Sequence, residues 1–385
     1  MGKKLISSVL AMIILLTAAG CASILEGETT EITPYYQAGD SAISDTAIEV
    51  STYDGFRQEV FNMVQNHTES AIFRITTFDR EDLEGSLNEI CQDITSSDPL
   101  GSYATYYISC HITPIVGYKD VTVNIVYKKD LSEITNISTV STDRYLQILL
   151  ESALTEYSPS CTFYTSLPSI TADYIKEYIH SRYYSDPLNV VILPDITVTS
   201  YPETDGMRIV EVSLNFNNYT ENVLESMNND LDSEIQDIIG ALPDADDFNL
   251  LSAVYEHMTN SYRYTKTSST KLSSTAYNVI VNNSGDDEGF AMAFKALCDK
   301  LLIKCTVVSG KYMGEDHFWN IVTFGGESYH VDVTTYFTEE VPAFMRGDEY
   351  MRENYWWDNS TVPQCPADYE PIAEIPDTQN NAEDN

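Results

Sequence analysis

The chain has 385 residues, enough for two or three domains. Its hydrophobic content of 43% leaves ample material for buried cores, and its 27 tyrosines favour strands and polar-aromatic surfaces over helical bundles. With 21 basic and 59 acidic residues the formal charge is −38, which repels phosphate backbones and anionic lipid headgroups. Nucleic acid is excluded as a partner on that ground, and cations or basic peptides are favoured.

The first 21 residues read as an export signal. Lys3 and Lys4 open it, and the run from Leu5 to Leu16, apolar apart from Ser7 and Ser8, is too short for a good spanning helix. Ala18-Ala19-Gly20-Cys21 resembles a bacterial lipobox, with Ala18 where that pattern usually has leucine. The expectation is cleavage before Cys21, a lipid on its thiol, and a mature protein on the outer face of the cytoplasmic membrane. The other six cysteines fall in no CxxC and fit no metal motif, and their pairing is not legible. No cofactor is expected.

Residues 22–50 carry six acids and no Lys or Arg, which suits a solvated tether, and residues 366–385 suit an acidic tail. Between them lies an internal repeat. The run Ile72–Phe78 matches Cys161–Leu167, Asp98-Pro99-Leu100 matches Asp186-Pro187-Leu188, and Val121–Lys129 matches Ile209–Asn217. Each copy, residues 51–130 and 140–218, reads helix, strand, helix, strand, strand. Phe56, Val60, Phe61 and Val64 form a helical stripe with Tyr145, Leu149 and Leu150 as counterparts. Nothing in the copies looks catalytic, so they read as binding or spacing modules. Residues 220–242 predict a connecting helix closed by Pro243.

From residue 246 the pattern changes. Phe248, Leu251, Val254, Tyr255 and Met258 predict a helix ending near Asn260, and Ser273 is placed to cap a short helix through Tyr277, Val279 and Ile280. Gly285-Asp286-Asp287-Glu288-Gly289 opens another helix, with Phe290, Phe294, Leu297, Cys298 and Leu301 as its buried stripe and acids in its first turn. Strands follow at Thr306–Val308, His317–Phe324 and Glu327–Val333, the last two forming a hairpin around Gly325-Gly326. In that register His317 and Asp332 are diagonal neighbours on one face, within side-chain reach.

The motifs Ala276–Val281, Gly285-x-x-Glu288-Gly289-Phe290-Ala291, Asp316-His317-Phe318-Trp319-Asn320 and Tyr329-His330-Val331-Asp332-Val333-Thr334 resemble the transglutaminase-like superfamily of bacterial surface proteins. Phe344, Asp348, Met351, Trp357-Asp358 and Pro363-Gln364-Cys365 resemble the trailing motif of its lipoprotein members. The resemblance covers residues 246–365. It implies a papain-like α+β domain there, so with the two modules read from the repeat the expected architecture is α+β: two tandem small α/β modules followed by that domain. It also implies a triad of a cysteine opening the central helix, a histidine opening a strand and an aspartate on the next strand. His317 and Asp332 match the last two, while Asp287 stands where the cysteine belongs. Glu288, Trp319 and His330 are expected to border this site. A carboxylate at Asp287 can mimic a thiolate's charge at a helix start and pair with a protonated His317, but it is a poor acyl acceptor. The leading expectation is a pseudoenzyme that binds protein or cell-wall peptide. The alternatives are non-thiol or metal-assisted chemistry at Asp287, His317 and Asp332, and a purely structural surface protein.

Overall fold

The computed structural model describes residues 46–217, 219–266 and 270–370. The expected lipidation at Cys21, the tether up to residue 45 and the tail beyond residue 370 lie outside the described residues. No described helix is long and apolar enough to cross a membrane.

After a two-residue strand β1 (Ile48–Glu49), the first module contains α1 (Tyr53–Gln65), β2 (Ser70–Ile75), α2 (Leu83–Ser96), α3 (Pro99–Ala104), β3 (Thr105–Ile115) and β4 (Tyr118–Tyr127). A short helix α4 (Leu131–Thr135) leads to β5 (Ser138–Val140), α5 (Asp143–Thr155), β6 (Ser160–Thr165), α6 (Ala172–Ser185), β7 (Asp195–Ser200) and β8 (Arg208–Asn215). Strands β2, β4 and β3 lie side by side in that order, and β6, β8 and β7 repeat the arrangement, with β5 parallel to β6 outside them. Short polar caps start the helices: Thr52, Asp82, Thr142 and Thr171 each accept a backbone N–H in the first turn.

The structure corrects the alignment of the two copies by one residue. Phe73 pairs with Val121 and Phe163 with Val210, so Phe73 corresponds to Phe163 and Val121 to Val210. The helical counterparts of Phe56, Val60 and Val64 are then Leu146, Leu150 and Leu154, all fully buried, whereas Tyr145 is exposed. A one-residue slip in a strand exchanges its faces, and Ile209 shows it. Matched in sequence to Val121, it instead turns away from its own module and buries itself in the core of the first. Tyr201 packs edge-on against Tyr103 at the same junction, and Glu211 accepts from Lys129 at 2.6 Å and from Tyr201 at 2.7 Å.

Helix α7 (Glu221–Ala241) leads to α8 (Asp247–Ser261), β9 (Arg263–Tyr264), a 3-10 turn (Lys271–Ser274), α9 (Ala276–Ile280), β10 (Ser284–Gly285) and α10 (Asp287–Lys300). Then come β11 (Lys304–Tyr312), β12 (Glu315–Phe324), β13 (Glu327–Val331), α11 (Thr335–Thr338), β14 (Phe344–Arg346), α12 (Asp348–Met351) and β15 (Tyr355–Trp356). The strands form an antiparallel sheet ordered β14-β13-β12-β11-β15, whose two short edge strands were not anticipated. Helix α10 packs on β11 and β12 and against α7, α8 and α9. It is therefore buried at every position from Gly289 to Cys298, not along one stripe. Even Lys295 is enclosed, its ammonium 2.8 Å from both Asp299 oxygens. Its core is continuous with that of the second module, running from Phe163 and Val212 through Leu231 and Ile235 to Met258, Phe290 and Phe294.

Two further expectations change. Thr275, not Ser273, caps α9, accepting the Asn278 N–H at 3.1 Å, because Ser273 is used in the preceding 3-10 turn. Strand β13 stops at Val331, with an irregularity after His330, and the Asp332 N–H turns to the Ala343 carbonyl at 2.7 Å.

Candidate active site

Asp286 ends the extended β10 segment and caps α10: its Oδ1 accepts the Gly289 N–H at 3.0 Å and its Oδ2 the Ser274 hydroxyl at 2.6 Å. The helix start fits here only because Gly289 lacks a side chain; a Cβ would lie 2.7 Å from the Ser273 carbonyl oxygen. Asp287 is thereby placed as the first helical residue, facing the start of β12. Its Oδ2 accepts the Phe318 N–H at 2.9 Å and lies 3.0 Å from His317 Nδ1.

The other imidazole nitrogen, Nε2, is 2.7 Å from Asp332 Oδ2. Asp332 is sealed from solvent and satisfied on both oxygens. Oδ2 also accepts from the Tyr355 hydroxyl at 2.8 Å, and Oδ1 accepts from the Thr334 N–H at 3.0 Å and hydroxyl at 2.7 Å. The three predicted triad positions are thus in direct contact. Burial alone would push the imidazole down, but hydrogen bonds and charges from Asp287 and Asp332 outweigh it and raise His317 to about 9. Burial opposes ionisation of Asp332, and the His317 contact overcomes it, holding the carboxyl below its usual range.

A cavity of about 220 Å³ opens over Asp287 and His317, walled by Tyr264, Lys266, Tyr312 and Thr335 among others. Glu315, Asp316 and Glu339 add negative charge to its rim; Lys266 pairs with Glu315 at 3.1 Å, and Tyr312 donates to Glu339 at 2.6 Å.

None of the three expected border residues walls the cavity. Glu288 points the other way, accepting from Tyr184 of the second module at 2.8 Å; burial, opposed by that hydrogen bond and aided by the nearby Asp286 and Asp287 charges, raises it to about 7. Trp319 lies beneath His317, its indole N–H donating to His330 Nδ1 at 2.9 Å. His330 is fully buried, with Nε2 2.9 Å from Asp348 Oδ1. Strand alternation put residues 330 and 332 on one face but could not show that α12 covers the first. The participants sequence reading missed are Tyr355, Thr334 as a donor, and the Phe318 N–H. Thr334 stood in a recognised motif, whereas Tyr355 arrives from an edge strand without a local signal.

Among the described residues no cysteine reaches the His317 ring in the thiol position. Cys298 is eleven residues along α10, roughly 16 Å at helical rise. Cys305 is buried on β11. Cys365 lies in a buried cluster with His330 and Asp348 whose ligand atoms fall within 4.8 Å of one another. That cluster is neither a displaced Cys-His nucleophile nor a good metal set. Burial, with the Asp348 charge, raises the Cys365 thiol to about 12. The Trp319 N–H occupies the His330 Nδ1 lone pair, so the ring proton sits on Nε2, facing Asp348 where a metal would need a lone pair.

Residues 237–363 match the model of the transglutaminase-like superfamily, and this stretch is a transglutaminase-like domain of α+β architecture. Among solved structures, a TGase matches at 11% identity and a TM-score of 0.29, covering 60% of this chain and 65% of that one. A candidate cysteine protease from Cytophaga hutchinsonii matches at 14% identity and 0.24, covering 36% and 62%. A candidate protease from Parabacteroides distasonis matches at 9% identity and 0.23, covering 61% and 48%. The chain therefore spans roughly half to two-thirds of the length of these structures, and similarity at this level transfers no activity. No curated protein matches the chain.

Proposed function

We propose that this is an extracytoplasmic, lipid-anchored binding protein whose transglutaminase-like domain carries out no thiol chemistry and whose partner is a protein or cell-wall peptide. The supporting observation is the contact of Asp287 Oδ2 with both His317 Nδ1 and the Phe318 N–H. A carboxylate there neutralises the imidazolium as a thiolate would, but attack on an amide carbonyl would yield an acyl anhydride, far less accessible than a thioester. The domain keeps its charge pattern and loses its nucleophile.

Metal-assisted chemistry at the same three residues is less well supported. Both ring nitrogens of His317 face carboxylates, so a metal would have to displace the ring proton and one of those contacts.

The test is an amide hydrolysis and amine crosslinking assay on wild type, Asp287→Ala and Asp287→Cys. Wild type is expected to be silent, and Asp287→Cys to gain a thiol that iodoacetamide alkylates near neutral pH, because His317 stabilises the thiolate. Wild-type turnover abolished by Asp287→Ala would overturn the reading. Anchoring is checked separately: Cys21→Ser is expected to release the protein from the membrane fraction of a lipidating host.

A further inference from the structure

The first module carries two cysteines that the site does not use. Cys91 lies on the buried face of α2, and Cys110 lies on β3 with its sulfur 2.9 Å from that of Cys91. The second module has neither. Helices α2 and α6 correspond residue for residue, which puts His180 at the position of Cys91. Cys110 pairs with Val123 and Val198 with Val212, which puts Val198 at the position of Cys110. One copy of the repeat therefore holds both thiols in contact and the other holds neither, the pattern of a pair that acts together.

We propose that Cys91 and Cys110 form a disulfide that ties the edge strand β3 to helix α2. Strand β3 is the outermost of its sheet and runs for eleven residues. Tyr106 and Tyr107 on it are more than half exposed. An open edge of that length invites unwanted pairing, and a covalent tie to the helix restrains it. The two cysteines are 19 residues apart, a loop whose closure removes freedom mainly from the unfolded chain.

The oxidant is a small-molecule disulfide or a disulfide-bonded oxidoreductase, as an oxidising compartment supplies. Cys110 lines a cleft with Glu84, Asn88 and His111. One of the two cysteines, losing its proton, attacks the acceptor's S–S bond, forms a mixed disulfide and expels one thiol. The other sulfur of the pair then attacks the first and expels the second thiol. One protein S–S bond forms, one acceptor S–S bond breaks, and two electrons and two protons pass to the acceptor as two thiols.

The experiment uses the full chain held in an oxidised glutathione buffer, quenched with acid, denatured, alkylated and mapped without reduction. No Lys or Arg lies between Cys91 and Cys110, so chymotrypsin, cutting at Tyr103, Tyr106 and Tyr107, is used to separate them. The expected result is a fragment pair joined through Cys91 and Cys110, and a thermal midpoint for the module a few degrees above that of the reduced protein. Recovery of both cysteines alkylated, or joined to other residues, would overturn the proposal. The wild-type map decides this even if a Cys91→Ser variant fails to fold.

Discussion

His317 meets Asp287 through Nδ1 and Asp332 through Nε2, so both ring nitrogens are committed to carboxylates. Its folded pKa of about 9 lies above the ordinary 6.5, so the folded state binds the proton more tightly than the unfolded chain. The resulting stability is fully present below pH 6.5 and lost as pH rises through about 9. A shift of that size corresponds to about 3 kcal/mol, shared with the depressed Asp332 and not additional to it. Chemical unfolding of the domain at a series of pH values should show that loss. Asp287→Asn should move it to lower pH by about one unit or more, since one of two facing charges is gone. Tyr355→Phe leaves a buried carboxylate short of a donor and should cost about 1–3 kcal/mol by urea denaturation. Of this site, Asp287, His317 and Asp332 were legible because local motifs carry them and period-two alternation aligns the last two. Burial depth was not legible, which is why Trp319 and His330 were expected at a rim and are found in the core.

Helix α10 shows how a local rule and tertiary packing combine. The acids of its first turn mark its start in sequence, and the helix begins there, capped by Asp286. Its burial on all sides depends on α7, α8 and α9 arriving opposite the sheet, which no window of sequence contains. Gly289→Ala should force the helix start away from the Ser273 carbonyl and destabilise the domain by about 1–3 kcal/mol, with Asp287 displaced from His317. Asp286→Ala removes a cap and should cost about 1 kcal/mol. Both can be read from denaturation midpoints, and a Gly289→Ala protein as stable as wild type would contradict the close approach. The repeat teaches a related lesson. The matched runs were visible, but the pairing register was not, because Ile209 and Val210 are both apolar and only the packed structure shows which faces which core.

For the molecule as a whole, the boundaries that sequence suggests do not coincide with the cores. The second module and the transglutaminase-like domain share one continuous core, while the first module has its own, joined by Ile209. Tyr184 of the second module reaches Glu288 beside the site and stacks at a tilt on Phe318, whose N–H holds Asp287. Calorimetry should therefore show the second module and the transglutaminase-like domain unfolding together. Removal of residues 140–218 should abolish folding of the remainder rather than yield a separate domain. The charge of −38 was visible from composition, and a titration with a basic peptide should show any binding weaken as salt rises.

The central claim is that a carboxylate stands in the thiol position beside an imidazole that is charged at neutral pH. Nitrogen-15 NMR of the His317 ring across a pH titration tests it most directly. The account predicts an imidazolium at neutral pH that titrates near 9 in wild type and distinctly lower in Asp287→Asn. A His317 that is neutral at pH 7, or whose titration ignores Asp287→Asn, would contradict it.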